Sequence, residues 1–320
     1  METMVLTEAE VRELVSMEEA IEVVEKALAA YTRGEATMPP KVYLQLENGD
    51  LRAMPARVGN YAGLKWVNSH PNNPAIGLPT VMALLILNDP KNGFPLAVMD
   101  GTYITSLRTG AAGGVAAKYL ARRDSKIVGF IGCGTQARFQ LWAISKIFDV
   151  ERVKGYDVSR KALESFSEYC ESLGVDFESC DAEAACKADI IVTSTPSKRP
   201  VVRDEWVSEG THINAIGADA PGKQELDEKI LLRAKIVVDD YEQALHSGEI
   251  NVAVSKGLID RSRIHASLGE VVTGMKPGRE SEKEITVFDS TGLAIQDIAV
   301  AARVYERASK LNVLKLRFFG

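Results

Sequence analysis

The stretch Ile127-Val128-Gly129-Phe130-Ile131-Gly132-Cys133-Gly134-Thr135-Gln136-Ala137 constrains the fold more than any other. An apolar run ends in Gly-x-Gly-x-x-Ala, and helix-forming sequence follows at once. Gly132 permits a tight turn, Gly134 lets a backbone approach a pyrophosphate, and Ala137 keeps the helix close to the strand. A helix starting there turns its unpaired N–H groups, with Thr135 and Gln136, toward the phosphates. Glycine turns are common, so the setting matters. A second apolar strand, 152–157, ends in a carboxylate, Asp157, suited to the adenosine ribose hydroxyls, with Val158 and Ser159 following in the same turn. Asp157 favours NAD over NADP, because a carboxylate repels a 2′-phosphate. Arg160, just beyond, either pairs with that phosphate or is a solvated helix residue.

The surrounding rhythm agrees. From Ser125 onward, strand-like runs at 126–131, 152–157, 175–179, 189–195, 212–217, 235–239 and 285–288 alternate with helical patterns, which predicts a parallel sheet with right-handed crossovers. Thr193-Ser194-Thr195 and Ile216-Gly217-Ala218 close the fourth and fifth runs, at the carboxyl edges where open α/β sheets bind ligands. From Lys41 to Asp100 the pattern differs. Short apolar segments are separated by Asn48-Gly49, Asp89-Pro90 and Asn92-Gly93, which predicts an antiparallel sheet with hairpins. Two S/T-x-x-E capping boxes, Thr7 with Glu10 and Ser16 with Glu19, open helices at the start. A small-residue helix is expected from Ser106, rich enough in glycine and alanine to pack closely on another backbone. An amphipathic helix is expected over 294–310. The fold class is therefore α/β: a Rossmann dinucleotide-binding domain over 117–291, and an α+β domain built from 1–116 and 292–320.

Composition narrows the function classes. With 38 Lys+Arg against 44 Asp+Glu, the 320-residue chain carries −6, so no global field draws nucleic acid or an anionic membrane. The longest aliphatic run, Val81 to Leu87, spans seven residues, far short of a bilayer span. No secretory signal is visible at the start. Four cysteines form no Cys-x-x-Cys pair, and four scattered histidines form no His-Glu-x-x-His motif. A reduced, cytoplasmic chain without a metal site is expected.

Five positions stand out as chemistry. Lys65, in Gly63-Leu64-Lys65-Trp66-Val67, shares a strand face with apolar neighbours; it either snorkels or carries a lowered pKa. Arg52 and Lys41 are each a carboxylate clamp or a surface cation. Asp219, before Ala220-Pro221-Gly222, either holds an amine and activates water or forms a turn. Arg108 with Thr109, placed at the start of the small-residue helix, either reaches a pyrophosphate or forms an inter-domain salt bridge.

Together, Lys65-Trp66-Val67-Asn68-Ser69-His70-Pro71, Ser106-Leu107-Arg108-Thr109-Gly110-Ala111-Ala112, Gly132-Cys133-Gly134-Thr135-Gln136-Ala137, Gly217-Ala218-Asp219 with Pro221-Gly222-Lys223, and Phe288-Asp289-Ser290-Thr291-Gly292 resemble the ornithine cyclodeaminase/μ-crystallin family, in particular its archaeal alanine dehydrogenase branch. The resemblance spans essentially the whole chain. It implies a homodimer whose first domain is built from both chain ends. It implies that Lys65 is the general acid/base, that Asp219 helps to activate the amine or imine, and that Lys41 grips the substrate carboxylate. Arg108, Thr135, Gln136, Asp157, Gly217, Lys223 and Ser290 would line the cofactor. The activity implied is reversible NAD-dependent deamination of L-alanine to pyruvate and ammonium. Cyclodeaminases proper tend to carry an acid where this chain has Arg52, which would repel the distal ammonium of a diamine. Lys41 is a second departure, since arginine is common there. The alternatives are an ornithine cyclodeaminase, a ketimine reductase, and a non-catalytic ligand-binding protein of the μ-crystallin kind.

Overall fold

The computed structural model describes residues 2–319. The chain divides into two units. One comprises the residues up to Arg108 together with those from Leu293 onward; the other is Thr109–Gly292. The sequence reading divides the chain after residues 116 and 291, and the compact units divide after 108 and 292; both 108 and 116 lie within the helix Thr102–Leu120.

In the first unit, an eight-stranded sheet runs in the order Lys315–Leu316, Thr3–Leu6, Pro95–Asp100, Ala83–Asn88, Tyr61–Ser69, Gly49–Val58 and Ala36–Thr37, with Val42–Leu46 also pairing with Gly49–Val58. Its pairs are antiparallel except Thr3–Leu6 on Pro95–Asp100, which is parallel, so the sheet is mixed rather than wholly antiparallel. Turn signals mark hairpins, but nothing local marks Thr3–Leu6 as a partner for a strand some ninety positions away. The pleat sends alternate residues to opposite faces. Met54 pairs with Lys65, and Lys65 with Leu85, so these three share one buried face. Trp66 and Leu84 pair on the other and are exposed.

The helices Met17–Thr32 and Ala294–Ala308 pack on each other and on the strand Gly49–Val58. Both capping boxes form: Thr7 and Ser16 each accept from the glutamate amide three residues on, and the glutamate side chain answers. Gly63 is small for a reason. A Cβ there would lie 2.7 Å from Ile298 Cδ1 and 2.4 Å from the Ile86 carbonyl.

In the second unit all eight strands of the main sheet are parallel. They run in the order Asp176–Ser179, Arg152–Tyr156, Ile127–Ile131, Ile190–Thr193, His212–Ala215, Thr286–Asp289, Lys235–Val238 and Ile264–Ser267. The order reverses between Ile127–Ile131 and Ile190–Thr193, the crevice where doubly wound sheets bind dinucleotides. Apolar clusters cover both faces. Val128, Phe130 and Val192 pack with Phe166 on one side, and Ile131, Ile191 and Ile213 with Val238 on the other. This is why the strands read as continuous apolar runs. The edge strand Ile264–Ser267 and the two-stranded ladder of Lys198–Val202 with Gln224–Leu226 went unread in the sequence, because each is short and lacks a long apolar run.

Glycines in Thr102–Leu120 do what their size suggests. A Cβ on Gly110 would sit 2.5 Å from the Phe139 carbonyl oxygen, and one on Gly114 3.0 Å from Ala143 Cβ, so this segment lies against the helix Thr135–Ser145. No helix among the described residues is long and apolar enough to cross a membrane.

Candidate active site

Lys65 is fully buried, which is rare for a lysine. Its strand puts it on the helix-covered face, out of reach of solvent. Its Nζ donates to Asp297 Oδ1 at 2.8 Å and to Thr105 Oγ1 at 3.2 Å, and lies 2.8 Å from Asp297 Oδ2. Arg108, also buried, donates through Nε to the same Oδ1 at 3.0 Å and through Nη1 to Gln296 Oε1 at 3.1 Å. Two cations therefore share one carboxylate. Burial and the Arg108 charge push the Lys65 ammonium down to about 7; Asp297 opposes this, and Lys41 adds a further downward push. Near neutrality Lys65 can exist as an amine or an ammonium, which a surface lysine cannot. With no solvent exposure, its ammonium does not snorkel to the surface.

Arg52 is 7% exposed, so it is not a surface cation. It binds Asp50 in bidentate fashion, Nε to Oδ1 at 2.6 Å and Nη2 to Oδ2 at 3.0 Å, and its guanidinium lies 5.3 Å from the centre of the Tyr43 ring. Asp50 offsets part of the charge that would otherwise repel a diamine.

Arg108 and Thr109 do not stand at a helix N-terminus. The helix starts two turns earlier, at Thr102, because Asp100 accepts from the amides of Thr102 and Tyr103 at 3.1 and 2.7 Å. Arg108 is instead one arm of the Lys65–Asp297 cluster, and its ion pair lies within the first unit rather than between domains. Thr109, mid-helix, offers its carbonyl to Gln140 Nε2 at 2.9 Å.

In the second unit the glycine turn has the geometry that the motif demands. Gly132 has φ +94, and a Cβ there would lie 2.9 Å from the Ser194 carbonyl oxygen and 3.0 Å from Thr195 Cγ2. Ser194 Oγ donates to the Gly132 carbonyl at 3.1 Å. A Cβ on Gly134 would meet nothing within 4 Å. The helix Thr135–Ser145 starts at Gly134 with no side chain capping its amides. Gln136 Oε1 is buried with no hydrogen-bond partner. Asp157 accepts from the amides of Cys133 and Ser159, each at 2.8 Å, so the glycine loop and the acid hold each other in place. Ser159 caps the next helix, Val158 is exposed, and Arg160 is exposed and paired with Glu164, the solvated position. Open space at Gly134, uncapped amides and an orphaned amide oxygen fit a dinucleotide.

Thr193 to Thr195 and Ile216 to Ala218 do end adjacent strands, with Thr193, Ile216 and Ala218 buried. Asp219 pairs with Lys223 at 2.5 Å across the turn at Gly222, which has φ +79. Ser290 is buried, its amide on the Ala215 carbonyl.

The ornithine cyclodeaminase/mu-crystallin family profile matches residues 1–312. The chain belongs to that family. It is 65% identical over 320 residues, 100% of this chain and 99% of the other, to an alanine dehydrogenase of Archaeoglobus fulgidus. It superposes with TM-score 0.98 and 65% identity on an archaeal alanine dehydrogenase dimer with bound NAD, covering 100% of each chain. It superposes with TM-score 0.94 and 42% identity on the Thermococcus litoralis Delta(1)-pyrroline-2-carboxylate reductase in complex with NADH and L-proline, covering 96% of this chain and 98% of that one.

Within this family member, sequence reasoning missed Asp297 and Gln296. The signal was present: two polar residues in Ala294-Ile295-Gln296-Asp297-Ile298-Ala299-Val300, on a helix whose first turns are wholly buried. Also missed were the buried acids Glu225, Glu249 and Asp239, and Asp289 was singled out only as part of Phe288-Asp289-Ser290-Thr291-Gly292, with no role. They are scattered through the sequence, and only the fold assembles them. No group of three His, Cys, Asp or Glu among the described residues is arranged to hold a metal ion.

Proposed function

We propose that this family member catalyses the reversible, NAD-dependent oxidative deamination of L-alanine to pyruvate and ammonium. The observation that carries the chemistry is the buried Lys65, held between Asp297 and Arg108 with its ammonium brought to about 7. The choice of alanine rests on the full-length likeness to the Archaeoglobus enzyme. The cofactor would lie on the Gly132–Gly134 turn and the amides of Thr135–Ser145, with Asp157 on its adenosine ribose. NAD, when bound, takes up the hydride from the substrate α-carbon.

The chain's own residues manage charge and protons. Arg52 and Lys41 would hold the alanine carboxylate, with Arg52 kept in place by Asp50. The α-ammonium must lose a proton before an iminium can form. Lys65 as the amine accepts it, which a lysine titrating near neutrality does without a large mismatch. Water then adds to the iminium carbon, its proton going to Asp219, since Lys65 already holds the proton taken from the ammonium. The same groups return protons to the departing nitrogen, leaving pyruvate and ammonium.

Homodimer formation is part of the reading. The outer sheet face of the first unit exposes Val42, Leu44, Trp66 and Leu84, a contiguous apolar surface of the kind that a second copy covers.

Purified protein should oxidise NADH when given pyruvate with ammonium, and Lys65→Ala should abolish this while binding of NADH persists. Near-normal turnover in Lys65→Ala overturns the acid/base role. Ammonia release from ornithine without net NADH change would point to a cyclodeaminase instead, a result made less remote by the Arg52–Asp50 pair. Silence in both assays with NADH bound would point to a ligand-binding protein.

A further inference from the structure

Glu225 lies on the short strand Gln224–Leu226 and has no solvent exposure. All four donors to its carboxylate come from two neighbouring strand ends. Oε1 accepts from the Thr195 amide at 2.6 Å and its hydroxyl at 2.7 Å; Oε2 accepts from the Gly217 amide at 2.8 Å and the Thr193 hydroxyl at 2.7 Å. The two loops close tightly on it. A Cβ on Gly217 would lie 2.2 Å from the Thr195 carbonyl oxygen and 2.7 Å from the Glu225 carboxyl carbon. Thr195 and Ser194 in turn abut Gly132. Glu225 therefore sits beneath the point where the glycine turn and the next two strand ends meet.

The carboxylate is itself held from behind. The amides of Glu225 and Leu226 donate to Glu249, at 2.9 and 2.7 Å, and the amides of Glu249 and Ile250 donate to Asp289, at 2.9 and 3.1 Å. Glu225, Glu249 and Asp289 all have 0% exposure, and none forms an ion pair with a lysine, arginine or histidine of the described residues. Each carboxyl group accepts from backbone amides of another segment. Burying a carboxyl group without a counter-ion is costly, but an apolar side chain here would leave two amides and two hydroxyls without an acceptor. What only a carboxylate offers is two acceptor oxygens on one rigid group, each able to orient an amide and a hydroxyl.

We propose that Glu225 is a positioning residue for the dinucleotide, fixing the Thr195 and Gly217 loops against the Gly132 turn, with Glu249 and Asp289 holding it in register. The inference rests on reading this sheet edge as the cofactor site. It makes a specific demand of the isosteric amide. In Glu225→Gln one oxygen becomes an NH2 that faces either the Thr195 or the Gly217 amide, donor against donor. A hydroxyl could rotate away, but a main-chain amide cannot.

The test is NADH binding by calorimetry, with steady-state kinetics and thermal melting alongside. Glu225→Gln should bind NADH about tenfold or more weakly, the loss expected when a buried amide loses its acceptor. The KM for NAD should rise in step, while the KM for alanine and the kcat at saturating NAD stay within about twofold, since neither depends on that amide. Unchanged NADH affinity in folded Glu225→Gln overturns the inference. So does a parallel fall in every kinetic constant that tracks a lowered melting temperature, which is what a merely structural residue would give. If that variant cannot be purified, Thr193→Val decides. It removes one of the four donors and leaves both amides; several-fold weaker NADH binding supports the inference, and wild-type affinity overturns it. Binding is read without turnover. A wild-type chain that binds NADH yet does not oxidise alanine therefore removes the alanine reading alone, and equal affinity in wild type and variant removes this inference alone.

Discussion

The two units bury titratable groups by opposite means. In the first, Lys65 and Arg108 share Asp297, and Arg52 grips Asp50, so charge is met by charge. In the second, Glu225, Glu249 and Asp289 are met by amides and hydroxyls. Charge against charge leaves a titratable group whose pKa depends on its neighbours, suited to moving a proton. Charge against backbone leaves a group whose directional bonds fix loop geometry, suited to holding a ligand. Burial pushes pKa values in both places, but in opposite directions: the Lys65 ammonium falls to about 7, and the Asp289 carboxyl rises to about 8.

The contrast breaks most sharply at Lys65. Lys65→Ala should lower kcat by about a thousandfold, within the range expected for losing a general acid/base, and leave NADH affinity unchanged; steady-state kinetics and calorimetry check both. Arg52→Ala should raise the KM for alanine about tenfold to a hundredfold, the range for a lost charge-assisted carboxylate contact, with the KM for NAD unmoved. A change in the NAD constant instead would place Arg52 outside the substrate site.

Gly134→Ala tests the other unit. Apart from its chain neighbours, no atom of the described residues lies within 4 Å of the added Cβ, so stability should hold or rise by up to about 1 kcal/mol, while NADH affinity falls several-fold. A variant that binds NADH normally would show that the open space at Gly134 is not where the dinucleotide lies. The smallest effect is a shift. Asp297 favours the Lys65 ammonium, so Asp297→Asn should lower the Lys65 pKa. In alanine oxidation, which needs the amine, the rising limb of the kcat/KM profile, set near pH 7 by Lys65, should move to lower pH by about one unit or more. Movement to higher pH would mean that another group governs the limb.

Some of this was legible in order along the chain. The glycine turn, its strand, its helix and Asp157 are adjacent or nearly so, and their spacing is set by local geometry: a tight turn, a close approach, a helix start. Lys65 could be singled out because strand alternation put a charge on an apolar face. Its counter-ion could not. Asp297 lies 232 positions away, on a helix whose return to the first unit no local pattern specifies in register. The same holds for the parallel pairing of Thr3–Leu6 and for the start of the helix at Thr102, where one aspartate cap outweighed the reading that began at Ser106.

The sequence by itself determined the doubly wound sheet, the glycine turn at its switch point and the residue types able to do amino-acid chemistry, because these follow from periodicity and short-range sterics. Only the tertiary structure decided which charges meet. Whether Lys65 titrates near neutrality, and whether Glu225 holds two loops rather than facing solvent, depends on burial and on partners brought from distant segments. Desolvation and hydrogen-bond direction are properties of that assembled environment, and no span of sequence carries them alone.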